Sequence, residues 1–399
     1  MSRSFPVQRA PARQLSALRI LLASNIQNAE STGMGKWTHC VARALEGQGH
    51  RVTCWFAEDF SAQGRLGRWS VLLYPVELAA RLFRHRGEFD AAIVHEPSAF
   101  WLALMRRARV PLPLLVAMSH GVESQGFRSM LAGARGGVAE VPPGSRLKTP
   151  LLRLWQADGA LRLADGVFCL SSADRQYLIE SLGVRAERIA FFPNGVSLAG
   201  PTRDPNLPPG GRVLWVGGWT DDRKGRRIVP RAWRMVRSRS RDARLTLLGT
   251  NLPAELVAPD FPAEDRGSVS VIPHLAESKD VARLMAEHDV LFMPSLVEGS
   301  PLTLLEAMAV GLVPVASRTG GIPDLVTHEV EGLLFDPLQV EAGAAELTRA
   351  LCDASLFFRL ATNGRHRASQ LTWGRVATAI ENAVRDWNRG TTLSADGRR

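Results

Sequence analysis

The sequence predicts an α/β protein made of two doubly wound, Rossmann-like halves. Three observations carry this reading. Short apolar runs that end in turn residues alternate with stretches of helical spacing, the pattern of βαβ units and a parallel sheet. The alternation halts once, at residues 200–211, where four prolines and three glycines fall within twelve positions, and then begins again. The length of 399 residues suits two domains, each large enough to bury its own core.

Taken in order, Leu18–Ala23 reads as the first strand, ending in a polar loop from Ser24 to Gly35. Helical spacing follows over Trp37–Leu45, closed by Gly47 and Gly49. Further strands are expected at Arg51–Phe56, Ala91–Val94, Leu114–Met118, Val167–Leu170 and Ile189–Phe192. Arg128 to Arg153, with Arg135, Arg146 and Lys148 between, reads as a long basic loop. After the linker come strands at Arg212–Val216, Arg244–Leu248, Val269–Ile272, Val290–Met293 and Leu312–Ala316, with a helix at Ile228–Val236. A last helix is expected at about Arg375–Trp387. The boundaries are then a basic tail at 1–17, a first half at 18–199, a linker at 200–211, a second half at 212–374 and a flexible tail at 391–399.

Composition narrows the class. Hydrophobic content of 45% with 22% charged residues is ordinary for a soluble globular chain. The most apolar region, Phe100 to Met118, is broken by Arg106, Arg107, Arg109, Pro111 and Pro113, so it does not read as a spanning helix. The N-terminus has arginines but no apolar core, unlike a signal peptide. Cys40, Cys54, Cys169 and Cys352 lie far apart and form no metal spacing, which fits buried free thiols in a reducing cytoplasm. Net charge is +10, and residues 1–200 hold 24 Lys and Arg against 15 Asp and Glu, a net +9. Such a field draws anionic lipid, glycan or nucleic acid. Nucleic-acid binding would call for aromatic residues or a recognition helix amid the charge, and neither is visible.

The most informative stretch runs from Met293 to Gly311. A strand ends near Met293, and a loop with Glu298 and Gly299 follows. Ser300 is placed to cap a helix whose first position suits Pro301, and Gly311 stands where that helix should stop. The first turn, Gly299, Ser300, Pro301 and Leu302, offers free N–H groups at every position but the proline and forms a candidate phosphate site. Glu298 and Glu306 sit at either end of it, and a carboxylate accepts hydrogen bonds from vicinal hydroxyls. On spacing alone the pair is equally an acidic residue at a helix start and a surface glutamate.

The spacing Glu298-x7-Glu306 within EGSPLTLLEAMAVGLVPVAS, followed by GGIPDLV, resembles the E-x7-E region of retaining glycosyltransferases of family 4. Other pieces match in order: Gly47 to Val52, Phe89 to His95, Ser119 to Glu123, Phe192 to Val196, Arg223-Lys-Gly225, Ala243 to Gly249 and Trp373. The resemblance spans roughly residues 18 to 390. It implies the GT-B architecture, two Rossmann-like domains facing across a cleft, with the C-terminal helix rejoining the first half. It implies hexose transfer from a nucleoside diphosphate sugar to an acceptor hydroxyl, with no metal site and no cofactor beyond the donor. Glu306 would bind the ribose, Glu298 the donor sugar, Lys224 the diphosphate, and His120 would face the sugar near the reacting carbon. The family's Gly-Arg pair after the strand is replaced by Gly217-Gly218-Trp219, leaving Gly218 at the donor and Arg223, Arg226 or Arg227 to supply the missing cation. Gly33, Gly35 and Lys36 form an acceptor or phosphate loop that is not a Walker A motif, because Trp37 stands where Ser or Thr is needed. The expected partners are the nucleotide sugar, a glycan or lipid-linked acceptor of bacterial surface-glycan type, and an anionic membrane surface on its cytoplasmic side, with no specific nucleic acid. A nucleotide-sugar epimerase on a similar fold is the alternative.

Overall fold

The structure is a computed structural model. It describes residues 16–30, 32–60, 70–275 and 277–396, so nearly all of the expected basic tail lies outside the described residues. Two six-stranded sheets carry the fold. The first comprises β1 Arg19–Ala23, β2 Arg51–Trp55, β3 Ala91–His95, β4 Leu114–Met118, β5 Gly166–Cys169 and β6 Ile189–Phe191, ordered β2-β1-β3-β4-β5-β6. The second comprises β7 Arg212–Val216, β8 Arg244–Leu248, β9 Val269–Ile272, β10 Val290–Met293, β11 Val313–Ser317 and β12 Leu333–Phe335, ordered β12-β11-β10-β7-β8-β9. All pairings within both sheets are parallel. β12, only three residues long, was too short to show a period.

Helices cover both faces, which is why β3 and β4 are buried along their whole length. Those that build the site are α1 Gly33–Gly47, α2 Ala99–Arg107, α3 Glu123–Arg135, α4 Pro143–Thr149, α5 Trp155–Leu163, α6 Leu302–Val310 and α7 Trp373–Asp396. α7 continues through Asp396, so the residues after 390 begin helical. α7 follows the second sheet in sequence but packs on the first. Its Val376, Ala377, Ile380 and Val384 share a core with Trp37, Val41 and Leu45 of α1. Gly166 in β5 makes room for it, since a Cβ there would lie 2.3 Å from the Trp387 ring.

Two expectations are corrected. The basic stretch from Arg128 to Arg153 is not a loop. It contains the end of α3, all of α4 and a π-helical turn at Pro150–Leu154 that runs into α5. Two glycines of α3, Gly126 and Gly133, sit against Val297 and Leu296 of the second half, where a Cβ would come within 3.0 and 2.8 Å of their side chains. The thiols are not uniformly buried either; Cys169 is buried and Cys352 exposed.

The segment 200–211 is anchored rather than loose. Buried Arg203 pairs with Asp289 at 2.9 Å and lies 4.6 Å over the Phe357 ring. The other Asp289 oxygen accepts the amides of Gly210 and Arg212, both at 2.9 Å. The chain passes between the halves at Val196 and again at Thr372, and these two points bridge each other. The Val196 amide donates to the Leu371 carbonyl at 2.8 Å, and a Cβ on Gly195 would sit 2.5 Å from the Trp373 nitrogen. Gly195→Val should therefore overpack this crossing and lower stability by about 1–3 kcal/mol. Thermal unfolding reads it directly, and an unchanged midpoint would show that the crossing tolerates a side chain.

Candidate functional site

The strand order turns back beside β1 and beside β7, so each sheet opens a crevice at its strand C-termini. In the first half these ends deliver two histidines. His95 closes β3 and His120 lies just past β4, with their Nε2 atoms 3.3 Å apart. Trp37 of α1 stands edge-on to both rings, at 5.6 and 5.1 Å between centroids. This apolar wall removes water from the imidazoles. Burial pulls the pKa of His120 down to about 4. His95 is held well below the usual histidine range, first by burial and then by His120. Both rings are thus neutral near pH 7, where one nitrogen of each donates and the other accepts.

In the second half β10 leads through residues 294–301 into α6. Gly311 ends α6 in the left-handed region at φ 103°, as its position foretold. The start differs from expectation. The helix begins at Leu302 with Pro301 as its cap residue, and Ser300 does not cap. Instead the Ser300 hydroxyl accepts from the Asn194 amide at 2.9 Å, and its carbonyl accepts from Asn194 Nδ2 at 2.6 Å. Asn194 follows the first sheet, so Ser300 is spent on fastening the helix start to the opposite half. The first N–H groups of α6 still lack intrahelical acceptors, as at any helix start.

Glu298 and Glu306 each meet a lysine. Glu298, with its side chain 8% exposed, accepts from Lys224 Nζ at 2.7 Å. Lys224 is presented by a short turn whose Gly225 has φ 71°, and a Cβ there would strike the Pro294 carbonyl. The Leu296 amide donates to the Arg223 carbonyl at 2.7 Å and holds the turn to the loop after β10. Gly217, directly after β7, leaves space for the Lys224 stem, whose Cγ would be 3.0 Å from an added Cβ. Gly218 beside it meets nothing closer than Asn251 at 3.6 Å.

Glu306 accepts from Lys36 Nζ at 2.5 Å, and Lys36 belongs to α1 of the first half. At roughly a quarter exposure on each side, such a pair adds only about 0.2–1 kcal/mol to stability. Its consequence is placement, because it brings the glycine loop to the Glu306 side of α6. Thr32 caps α1 by accepting from the Gly35 amide at 3.2 Å. Gly35 must be glycine, since a Cβ would lie 2.0 Å from the Ala29 carbonyl oxygen, whereas Gly33 faces open space.

The halves also meet backbone on backbone. A Cβ on Gly299 would fall 2.0 Å from the His120 carbonyl oxygen. Sequence reasoning gave Gly299 to the approach of a ligand; the group that approaches is the first half itself. Gly320 and Gly321 then close behind the loop, against the carbonyls of Glu298 and Gly299.

The question of the missing arginine is narrowed by geometry. Trp219, next to Gly218, turns inward, 2% exposed, with Nε1 donating to Asp260 at 2.7 Å and its ring stacked on Phe261. Arg226 and Arg227 are engaged by Asp222, and Arg227 also pairs with Glu140 at 2.5 Å. Arg223 alone of the three leans toward the opening. It is held by Asp221 at 2.8 Å and lies within the electrostatic reach of Glu298.

Residues 31–199 match Glycosyltransferase Family 4, and residues 210–353 match Glycosyl transferases group 1. The chain belongs to glycosyltransferase family 4. It is 28% identical over 323 residues to the MMP alpha-(1->4)-mannosyltransferase of Mycolicibacterium hassiacum, covering 76% of this chain and 72% of that protein. It is 24% identical over 358 residues to a putative colanic acid biosynthesis glycosyltransferase of Salmonella typhimurium, covering 86% and 81%. Among solved structures, sucrose-phosphate synthase from Thermosynechococcus elongatus superposes with a TM-score of 0.75 at 19% identity, covering 92% and 98%. The architecture is GT-B.

For this family 4 glycosyltransferase, sequence reasoning missed two residues. Trp37 was read as the start of a helical stretch and as what disqualifies a Walker motif, yet it walls the histidine pair. Asn194 entered only within the matching piece Phe192 to Val196, although its place just before the crossing was a usable signal. Two outcomes follow. In NMR, the His120 ring signals should stay those of the neutral form from pH 8 down to pH 5, and a midpoint near the ordinary histidine value would contradict its burial. Because the folded pKa lies below the unfolded one, His120 favours the folded state above about pH 6.5, and that contribution is lost as pH falls toward 4. Lys36→Met should leave the unfolding midpoint nearly unchanged and alter nucleotide affinity; a large drop in midpoint would make Lys36 a structural residue.

Proposed function

We propose that this chain transfers a hexose from a nucleoside diphosphate sugar to an acceptor hydroxyl with retained anomeric configuration, in the assembly of a surface glycan or glycolipid. The observation that carries the reading is the convergence of Glu298, Glu306, Lys224 and the neutral His120 on one opening between the two sheets. The kinship with family 4 favours it over epimerisation.

In this reading Glu306 accepts the ribose hydroxyls. Lys36 takes one of its oxygens, and the other keeps its lone pairs for the ligand. The diphosphate lies along Gly218 and the start of α6, where free N–H groups and the helix dipole favour negative charge. As the bond from the anomeric carbon to phosphate breaks, charge grows on the departing phosphate. Lys224 and Arg223 stabilise that charge without having to move far. The acceptor oxygen bonds to the anomeric carbon on the same face, and its proton passes to the departing phosphate. Glu298, already bound by Lys224, accepts from sugar hydroxyls. His120, kept neutral by burial, hydrogen-bonds the sugar rather than repelling charge developing on it. Positioning supplies most of the rate.

A thermal-shift series with UDP-, GDP- and ADP-hexoses should raise the midpoint for one base and sugar above the others. With that donor, NMR of the product should show the donor's anomeric configuration, and added EDTA should leave the rate unchanged. Inversion would overturn the retaining mechanism, and loss of rate with EDTA would overturn the metal-free one. Glu306→Ala should weaken donor binding in calorimetry by about tenfold or more, the loss of a charge-assisted hydrogen bond. Unaltered affinity would remove Glu306 from the ribose.

A further inference from the structure

The first half carries an outward-facing apolar ridge that the donor site leaves unexplained. Leu147, Leu151 and Leu152 are 67%, 62% and 67% exposed, and Trp155 is 47% exposed. Leu147, Leu151 and Trp155 recur every four residues through α4, the π-helical turn and α5, so they share one side of a continuous helical rod. α2 lies alongside α5 and adds Trp101, 43% exposed. Phe100 joins the two tryptophans, at 5.3 Å from Trp101 and 5.0 Å from Trp155. Leucines of this size left outward on one face are not explained by folding of the half, because the underlying cores are complete without them.

Basic residues outnumber acidic ones around the ridge, where Glu123 and Asp165 are met by Arg153 and Arg106. No acidic residue occurs from Val141 to Gln156, a stretch that carries Arg146, Lys148 and Arg153. None occurs from Ala99 to Val122 either, where Arg106, Arg107 and Arg109 fall. An apolar face flanked by cations, with tryptophans beside it, has the composition of a helix that lies in a membrane interface. Leucines enter the acyl boundary, indoles sit at headgroup depth, and basic side chains meet anionic headgroups.

The ridge also borders the cleft. Arg153 pairs with Glu123 at 2.6 Å, and Glu123 opens α3 only three positions after His120. Arg153 lies within electrostatic reach of Arg223 on the second half as well. A surface seated on this ridge therefore comes up to the mouth of the site.

We propose that the ridge formed by α4, the π-helical turn and α5, with Trp101 of α2, is the seat by which the protein docks on an anionic lipid bilayer, so that a lipid-borne acceptor enters the cleft beside His120. The docking itself stands on the ridge; only the orientation of the acceptor rests on the proposed reaction.

The test uses the full chain and two sets of vesicles, phosphatidylcholine alone and phosphatidylcholine mixed with phosphatidylglycerol. Flotation should recover the protein with the anionic vesicles and about tenfold less with the neutral ones. Brominated acyl chains should quench its tryptophan fluorescence only in the anionic mixture. Leu151→Ser with Leu152→Ser should abolish flotation, and Arg146→Glu with Lys148→Glu should do the same. Both double variants should keep the wild-type unfolding midpoint and donor affinity, since all four side chains lie outside the donor site. Equal recovery with both vesicle types, no recovery with either, or variants that float like the wild type would overturn the proposal. So would a wild-type dimer in light scattering that Leu151→Ser with Leu152→Ser dissolves, because the occupant would then be a second copy. Donor affinity, read separately by calorimetry, tells failure of the seat apart from failure of the proposed reaction.

Discussion

The contact of Gly299 with the His120 carbonyl sets the terms for the rest of the site. It places the backbone of one half against the backbone of the other, with no room for even a methyl group between them. His120 donates its carbonyl to the contact and its ring to the cleft. Glu298 immediately precedes Gly299, and Ser300, immediately after, is tied to Asn194. A loop held so closely on both sides does not need to be ordered by its ligand, and the cost of immobilising it is met in folding rather than in binding.

Charge in the opening is arranged in pairs that leave capacity unused. Lys224 meets Glu298 and Lys36 meets Glu306, each through one contact, while a carboxylate offers about four acceptor sites and an ammonium three donors. The pairs therefore neutralise the carboxylates without saturating them. The histidines are handled in the opposite way: water is removed and no counter-charge is supplied, so the rings stay neutral. One opening thus contains opposite charges in contact and two imidazoles held neutral by burial.

What the sequence reveals and conceals follows from how local each feature is. The strand, loop and helix around Glu298 and Glu306 are contiguous, and apolar periodicity, the glycine at 311 and the spacing of the two acids made them readable. The helix start was misread because Ser300 is an equally good partner for a distant amide, and Asn194 lies 106 positions away. Lys36 meeting Glu306 depends on how the two halves sit, across 270 positions, and no local pattern encodes it. The stretch from Arg128 to Arg153 reads as a loop; Gly126 just before it, and Gly133, Pro143 and Pro150 within it, are residue types that weaken an isolated helix. In the structure the two glycines are contact points for Val297 and Leu296, and the prolines begin helical segments. Residues that weaken a helix in isolation are here what lets the halves approach.

The two chain crossings bear on how the molecule can deform. Because Val196 and Thr372 bridge each other, the halves are covalently joined at a single place instead of at two separated ones. Two bodies joined so can swing about that place, but they can hardly slide or separate along the cleft. The distance from the crossing then acts as a lever arm: a few degrees of rotation barely disturb Gly195 against Trp373, while the same rotation displaces the outer edge of the opening several times further. Residues near the axis keep their register through such a swing, and those at the far rim decide how wide the entrance stands.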